Sequence, residues 1–486
     1  MRSLLWLVPL VGCTGGDKPC PAGAERRADG LCYLVESDGA DGGEPDADTG
    51  EGPLPPTGDD PILTTGRGRP EGELMYEFVD AAMIDETWAI AVGQGGFTIV
   101  DVRDASLAVV EGERRALRVD TDGGLAALST RDNSMPLVDV SDPTAPRKLE
   151  PLRFDRVDAP SEDVSVDEGR ILIGFRGEGA QLWNADNEHL ATIPADDAFA
   201  VALRGDRALL TDGASLELWD LSDLGAPELL TRAPLPAEGR DLSWEGEHVA
   251  VGMGGAGTSV WRLDGTTLTE RATLRTPGSA LSVAVDGDRL WIGTWEVAAL
   301  ADLAAEPPVV LGHETPTWSA MAVAAAGGHA LIADWYSVTS LEAVDGARGP
   351  ELVPPPDLYF STEDAGPEAA IFENGGTETL ELRFELEGGG FSVTPERLEL
   401  EPGAFGTVLV TPEAGWSGER ASLEWESNDA DEAEGVVELA PADAGVGTTH
   451  VDFTLQGYQL PDESLQTFDF ADTRGKVVVL VYWALF

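Results

Sequence analysis

The sequence predicts an all-β protein whose main body is a closed ring of about seven four-stranded blades, and three observations carry that expectation. A short apolar strand recurs through the middle of the chain, starting at Trp88, Gly124, Arg170, Arg207, His248, Arg289 and His329, at spacings of 36, 46, 37, 41, 41 and 40 residues. Tight-turn residues flank most copies, as in Val164-Ser-Val-Asp-Glu-Gly169 and Leu281-Ser-Val-Ala-Val-Asp-Gly287. Such Asp and Gly residues supply the positive φ that two-residue hairpins need. A third strand then often ends in Asp, as in Phe97-Thr-Ile-Val-Asp101 and Leu216-Glu-Leu-Trp-Asp220. Pro-containing turns such as Ser141-Asp-Pro-Thr-Ala-Pro146 lead to a fourth, more polar strand. Four antiparallel strands per 40 residues, without a continuous 3.6-residue period, describe a β-propeller over residues 70–354.

Two phrases, Thr98-Ile-Val-Asp101-Val-Arg-Asp104 and Pro136-Leu-Val-Asp139-Val-Ser-Asp142-Pro143, resemble the LVIVD repeat of bacterial and archaeal surface proteins. Later copies depart from it at Trp183-Asn184 and Trp261-Arg-Leu-Asp264. A ring has to be closed. Glu73-Leu-Met-Tyr-Glu-Phe78 reads as an outer strand that pairs with the last blade around Ser337 to Val353.

Ahead of the ring, Arg2 and the apolar Leu4 to Val11 read as an export signal over residues 1–12, too short to span a bilayer. Leu10-Val11-Gly12-Cys13 resembles the lipobox of bacterial lipoproteins, which implies that Cys13 carries lipid and anchors the chain in a membrane. Thr14 after that cysteine, by the same resemblance, points to the outer membrane, facing the periplasm or the outside. In such an oxidising compartment Cys20 and Cys32 either close a structural disulfide or remain free thiols in a tether. Residues 13–62 read as a disordered, solvated stalk, since nine acids and no Lys or Arg fall between Glu36 and Asp60.

Pro354-Pro-Pro-Asp357 marks the next boundary, and residues 355–442 alternate like short antiparallel strands, for example Leu380-Glu-Leu-Arg-Phe-Glu-Leu386. Phe372-Glu-Asn-Gly-Gly-Thr-Glu-Thr-Leu380, Phe391-Ser-Val-Thr-Pro395 and the Ser427-Asn-Asp429 turn resemble immunoglobulin-like ASH/Hydin modules, which implies a β-sandwich. Residues 446–486 end in the apolar run Gly475-Lys-Val-Val-Val-Leu-Val-Tyr-Trp-Ala-Leu-Phe486. With Thr473-Arg-Gly before it, that run resembles the first central strand of an α/β thioredoxin-like redoxin domain, whose C-x-x-C would follow the Trp-Ala pair. Either the chain is a fragment of a longer redoxin-bearing protein, or the strand ends the chain packed on the sandwich. An apolar strand at a bare terminus would expose a sticky edge, which favours the fragment.

Charge narrows the function classes. With 88 acidic and 31 basic residues, the net charge of −57 repels nucleic acid and anionic headgroups. No cysteine follows Cys32, and the five histidines lack ligand spacing, so no zinc site, other metal site or cofactor is expected in the folded body. Gly252-Met-Gly-Gly-Ala-Gly257 fits a dinucleotide fingerprint, but a strand follows it instead of a helix, so it reads as a hairpin turn. Glu162-Asp163 and Asp196-Asp197 are pairs that 88 acids produce by chance, and no catalytic constellation stands out. Most tryptophans suit core positions. Trp295 and Trp335, just after their strands, are the candidates to reach a face of the ring and grip a ligand. The expected role is a non-catalytic scaffold for an envelope protein or glycan, with a thiol–disulfide or peroxide oxidoreductase as the alternative.

Overall fold

The structure, a computed structural model, describes residues 54–70, 77–112, 115–130, 134–154, 161–317, 319–361 and 366–441, with the backbone of four short strands outside them. Two of these, Ala24–Arg26 and Cys32–Leu34, pair as an antiparallel hairpin in a separate N-terminal unit that ends at Pro53. Cys32 begins one of them. Cys13 and Cys20 lie outside the described residues.

Among the described residues, seven four-stranded antiparallel sheets follow one another and form the blades of the propeller. Blade 1 runs from Phe78–Met83 to Ser106–Gly112, and blades 3 to 6 begin at Ser161–Asp167, Ala200–Arg204, Asp241–Glu245 and Ala280–Asp286. Blade 2 begins at Arg118–Asp122. Its third strand is split at Pro136, which cannot donate to the ladder, into Ser134–Met135 and Leu137–Asp139. Large apolar side chains from successive blades fill the spaces between them. Leu209, Leu216 and Leu218 of blade 4, for example, pack with Trp244, Val249, Val251 and Trp261 of blade 5.

The third-strand Asp has a local structural task. Its carboxylate accepts the backbone N–H two residues on, from Asp101 to Arg103 at 3.1 Å, Asp139 to Ser141 at 3.0 Å, Asp220 to Ser222 at 2.8 Å and Asp302 to Ala304 at 2.8 Å. Asn184 does the same for Asp186 at 3.1 Å, so that departure from the repeat keeps its chemistry. The next residue, Val102, Val140, Leu221 or Leu303, is buried and donates its N–H to the turn joining strands one and two of its own blade. In blade 5 the residue in this second role is Leu263, so Arg262 and not Asp264 occupies the Asp position, and it pairs with Glu247 at 2.7 Å.

Ring closure differs from the expectation in its segment. The outer strand of blade 7 is Ile62–Gly68, paired antiparallel with Ser337–Ala343 from Ile62↔Ala343 to Gly68↔Val338. Phe78, expected to be part of the closing strand, begins the innermost strand of blade 1, and residues 71–76 lie outside the described residues. Glycine is needed in the closing strand because a Cβ at Gly66 or Gly68 would run into the backbone of Asp104 or Ala105. The packed body therefore begins at Leu54 and not after residue 62: Leu54 and Ile62 are buried, and Asp59 N donates to Arg348 O at 2.9 Å.

Two further sheets enclose one core and form a β-sandwich. One orders Leu352–Val353, Glu368–Asn374, Phe405–Pro412 and Phe391–Thr394, and the other orders Leu358–Phe360, Glu434–Pro441, Ala421–Ser427, Leu380–Glu387 and Arg397–Leu400. Phe360, Phe372, Phe384, Phe391 and Trp425 dominate its interior. The Ser427-Asn428-Asp429 turn ties it to the propeller. Asn428 O accepts Thr57 N at 2.8 Å, Asn428 Nδ2 donates to Thr57 Oγ1 at 2.7 Å, and Asp429 Oδ2 accepts Leu352 N at 2.7 Å.

No helix occurs among the described residues, and the α/β element expected at 446–486 falls outside them apart from the backbone of two strands. Thr454–Gln459 and Ser464–Asp469 pair as an antiparallel hairpin, and the run 475–486 lies outside the described residues.

Candidate functional site: an aromatic pair beside an acidic axial channel

Each blade presents its innermost strand edge-on to the axis of the ring, and an edge strand has backbone N–H groups without a ladder partner. Side chains of the preceding blade satisfy them. At one depth Asp80 accepts from Val119 N at 2.7 Å, Asp163 from Val201 N at 2.8 Å, Asp241 from Val283 N at 2.7 Å and Ser282 from Val323 N at 3.1 Å. One step along the axis Asp120 accepts from Val166 N at 2.7 Å, Ser165 from Leu203 N at 3.1 Å and Ser243 from Val285 N at 2.9 Å. At the far end Asp122, Asp167, Glu245 and Asp286 accept from Glu168, Gly205, Gly287 and Gly328 at 2.7 to 2.9 Å. The alternation Asp163-Val-Ser165-Val-Asp167 is therefore a strand whose polar face stitches one blade to the next.

These walls enclose an axial cavity of about 320 Å³. Burial strips hydration from its carboxylates and pushes their pKa values up, to about 7 for Asp80, about 6 for Asp120 and about 8 for Asp163. Arg118 stands among them, 3.8 Å from Asp80. Burial opposes its charge, but Asp80, Asp241, Asp163 and Glu162 outweigh that and hold it above the ordinary arginine range. Glu162 and Asp163, adjacent in sequence, do different things: Glu162 pairs with Arg176 at 3.4 Å, while Asp163 serves the channel. Asp197 accepts Gly177 N at 2.6 Å in a loop.

A second cavity of about 440 Å³ forms one mouth of the channel, lined by Val79, Arg118, Ser161, Glu162, Arg240 and Met321 among others. The turns joining second and third strands surround this mouth, and two of them carry the tryptophans singled out by sequence. The structure brings those two together: the rings of Trp295 and Trp335 meet edge to face, centroids 6.4 Å apart, and Tyr336 stands 6.3 Å from Trp335. Trp295 is 54% exposed, an unusual state for the largest apolar side chain. Its backbone N donates to Ser279 O at 3.1 Å, and Phe78 N donates to Trp335 O at 2.6 Å, so both turns abut strands that lead into the mouth.

Both turns are held firmly. Thr294 Oγ1 accepts Glu296 N and Val297 N at 3.1 and 2.8 Å. Trp335 has φ of 49°, a strained conformation for a bulky residue. The buried Asp334 supports it by accepting Thr317 N at 3.0 Å, Ser319 N at 2.9 Å and Ser337 Oγ at 3.1 Å. The other tryptophans described are structural. Trp183, Trp219 and Trp261 are buried, and each donates its indole N–H to the side chain two residues earlier: Gln181, Glu217 or Ser259.

The glycine fingerprint is a turn, as expected. Met253 N donates to Gly257 O at 2.9 Å, Gly254 and Gly257 have φ of 59° and 88°, and strand Thr258–Asp264 follows. The sequence reading missed Arg118 and the channel carboxylates. The signal was present as polar residues at every second position of the innermost strands, but chance pairs among so many acids obscured it.

A family model described as LVIVD repeat matches residues 114–150, which fall on blade 2. No curated protein matches the chain. Among solved structures it is similar to the WD40 beta propeller domain of Doa1, at 10% identity and a TM-score of 0.48, over 58% of this chain and 98% of that one. It is also similar to the computationally designed Ika8 protein, at 11% identity and a TM-score of 0.45, over 57% of this chain and all of that one.

Proposed function

We propose that this chain is a lipid-anchored envelope protein whose propeller is a non-catalytic interaction platform, binding an envelope protein or glycan at the aromatic mouth. The observation that carries the reading is the Trp295–Trp335 pair, with one ring exposed and the other on a strained, braced turn. Rigid aromatic rings give large contact area at low entropic cost, which is why they concentrate binding energy at interfaces. The nearby channel carboxylates hold backbone amides of the next blade, which suits a rigid support better than proton transfer. Cys13 would supply the membrane anchor, on the outer membrane, and the sandwich would act as an immunoglobulin-like spacer.

The test is capture from a solubilised envelope fraction and from a glycan array by wild type and by W295A/W335A. Retained capture by a correctly folded double variant sinks the aromatic-mouth reading. Metabolic labelling with a fatty acid, lost in C13S, tests the anchor. A second reading, a redoxin-type oxidoreductase with the propeller as targeting module, rests on the resemblance of Thr473 to Trp483 to a redoxin strand. The coding sequence after codon 486 tests it, because a redoxin needs an in-frame Cys-x-x-Cys there.

A further inference from the structure

The seam between propeller and sandwich gathers carboxylates of a different kind from those in the channel. Glu351, at the exit of the ring, and Asp429, in the sandwich turn, are 1% and 2% exposed. Glu432 comes from the same turn as Asp429. One carboxylate oxygen from each of the three lies within 4.8 Å of the others. Glu351 Oε1 and Glu432 Oε2 are buried with no hydrogen-bond partner among the described residues. His313 Nδ1 approaches Glu351 Oε1 to 2.8 Å without forming a hydrogen bond, and burial pushes that imidazole towards its neutral form.

We propose that Glu351, Asp429 and Glu432 bind one calcium ion that staples the propeller to the sandwich. Three observations support the assignment independently of sequence. The donors are all hard oxygens, which suit calcium or magnesium and not a softer metal. Calcium–oxygen distances of about 2.3–2.6 Å place opposite ligands about 4.6–5.2 Å apart, so three oxygens within 4.8 Å of one another can share a single calcium ion. The buried oxygens without partners are the third, because an isolated buried carboxylate is costly unless a proton or a cation meets it.

The surroundings agree. Burial first, and then neighbouring acids, push Asp429 up to about 8 and Glu432 to about 10, and Glu351 well above the carboxylate range. Asp60 and Glu314 add negative charge at the same seam, and burial raises both. The turn is already shaped: Asp429 N donates to Ser427 Oγ at 3.0 Å, and Ser427 Oγ donates to Glu432 O. Water and main-chain oxygens, which calcium accepts readily, would complete the coordination.

The experiment is calcium titration of the full chain by calorimetry, with thermal melts in EDTA and in calcium. A chain of this charge attracts calcium diffusely, so D46N/D48N serves as a charge-matched control for E351Q/E432Q. Wild type and control show one saturable site, and E351Q/E432Q weakens it by more than about tenfold. The single variant E432Q, at the less buried ligand, guards against a folding failure at Glu351. In EDTA at pH 8 it melts above wild type, because Gln is neutral without the proton that folding forces onto Glu432, and in calcium the order reverses. No saturable site in folded wild type overturns the proposal. So does an E432Q deficit that is the same with and without calcium, which marks a hydrogen-bonding role, or a magnesium affinity equal to that for calcium.

Discussion

The axial channel and the propeller–sandwich seam both bury carboxylates, yet they solve the burial differently. In the channel, Asp80, Asp163 and Asp241 each accept a backbone N–H from the next blade at 2.7 or 2.8 Å, and Arg118 supplies a positive charge among them. At the seam, Asp429 accepts Leu352 N, but Glu351 Oε1 and Glu432 Oε2 are buried without a hydrogen bond, and the His313 imidazole 2.8 Å from Glu351 Oε1 does not supply one. Carboxylates with fixed donors form part of the scaffold. Carboxylates lacking donors create a demand that only protons or a cation can meet. The comparison teaches that acid content alone says nothing about role, and that the count of donors at each oxygen does.

The largest effect is expected from breaking the ring on which both regions depend. Deleting residues 62–68 removes the outer strand of blade 7, and the melting midpoint falls by at least about 10 °C, several kcal/mol at the usual 2–4 °C per kcal/mol, or cooperativity is lost. A melt unchanged by that deletion shows that the strand is dispensable.

Next come substitutions that separate a carboxylate's charge from its accepting oxygen. Asp163→Ala leaves the buried Val201 N–H unpaired and costs about 1–3 kcal/mol by denaturant unfolding. Asp163→Asn keeps an acceptor, and its effect is on pH dependence. The folded pKa of about 8 lies above the ordinary 3.8, so the folded state binds the extra proton between them. Stability from this group is therefore greatest below about pH 4, declines to about pH 8, and is flat above. Asp163→Asn and Asp429→Asn should each flatten that decline, since Asp429 also sits at about 8. Only Asp429→Asn should also change the response to calcium. If both variants respond to calcium alike, the distinction between channel and seam fails.

Asp139 provides the opposite sign. Hydrogen bonds from Ser141 first, then Arg147, hold its pKa down to about 2. Its contribution is present above about pH 4 and lost as pH falls through about 2, so Asp139→Ala should weaken the fold slightly at neutral pH and not at all in strong acid. The smallest effect on stability belongs to Trp295→Ala, within about 0.5 kcal/mol for an exposed ring whose aromatic neighbour, Trp335, also lies at the mouth. A larger loss would mean that the ring is a structural prop and not a contact surface.

Much of the propeller was legible in the chain. The 40-residue period, the Gly and Asp turns and the Asp ending most third strands are local features, and hydrogen bonds reaching only two residues on explain the last of them. The turn positions of Trp295 and Trp335 were also legible, because a tryptophan at a turn is placed by its neighbours in sequence. That Trp295 and Trp335 touch was not, since they belong to adjacent blades.

What the sequence determined by itself, then, is the repeat and the strand-and-turn grammar of each unit, because those depend on alternation and backbone conformation within a few residues. The tertiary structure decided the rest. Backbone pairing needs no particular side chain, so Leu63-Thr-Thr-Gly-Arg-Gly68, ahead of the ring boundary expected at residue 70, could close the ring. The seam joins Glu351 to Asp429 and Glu432 across roughly 80 residues of chain, and it is burial, a property of the assembled domains, that turns three ordinary acids into a site.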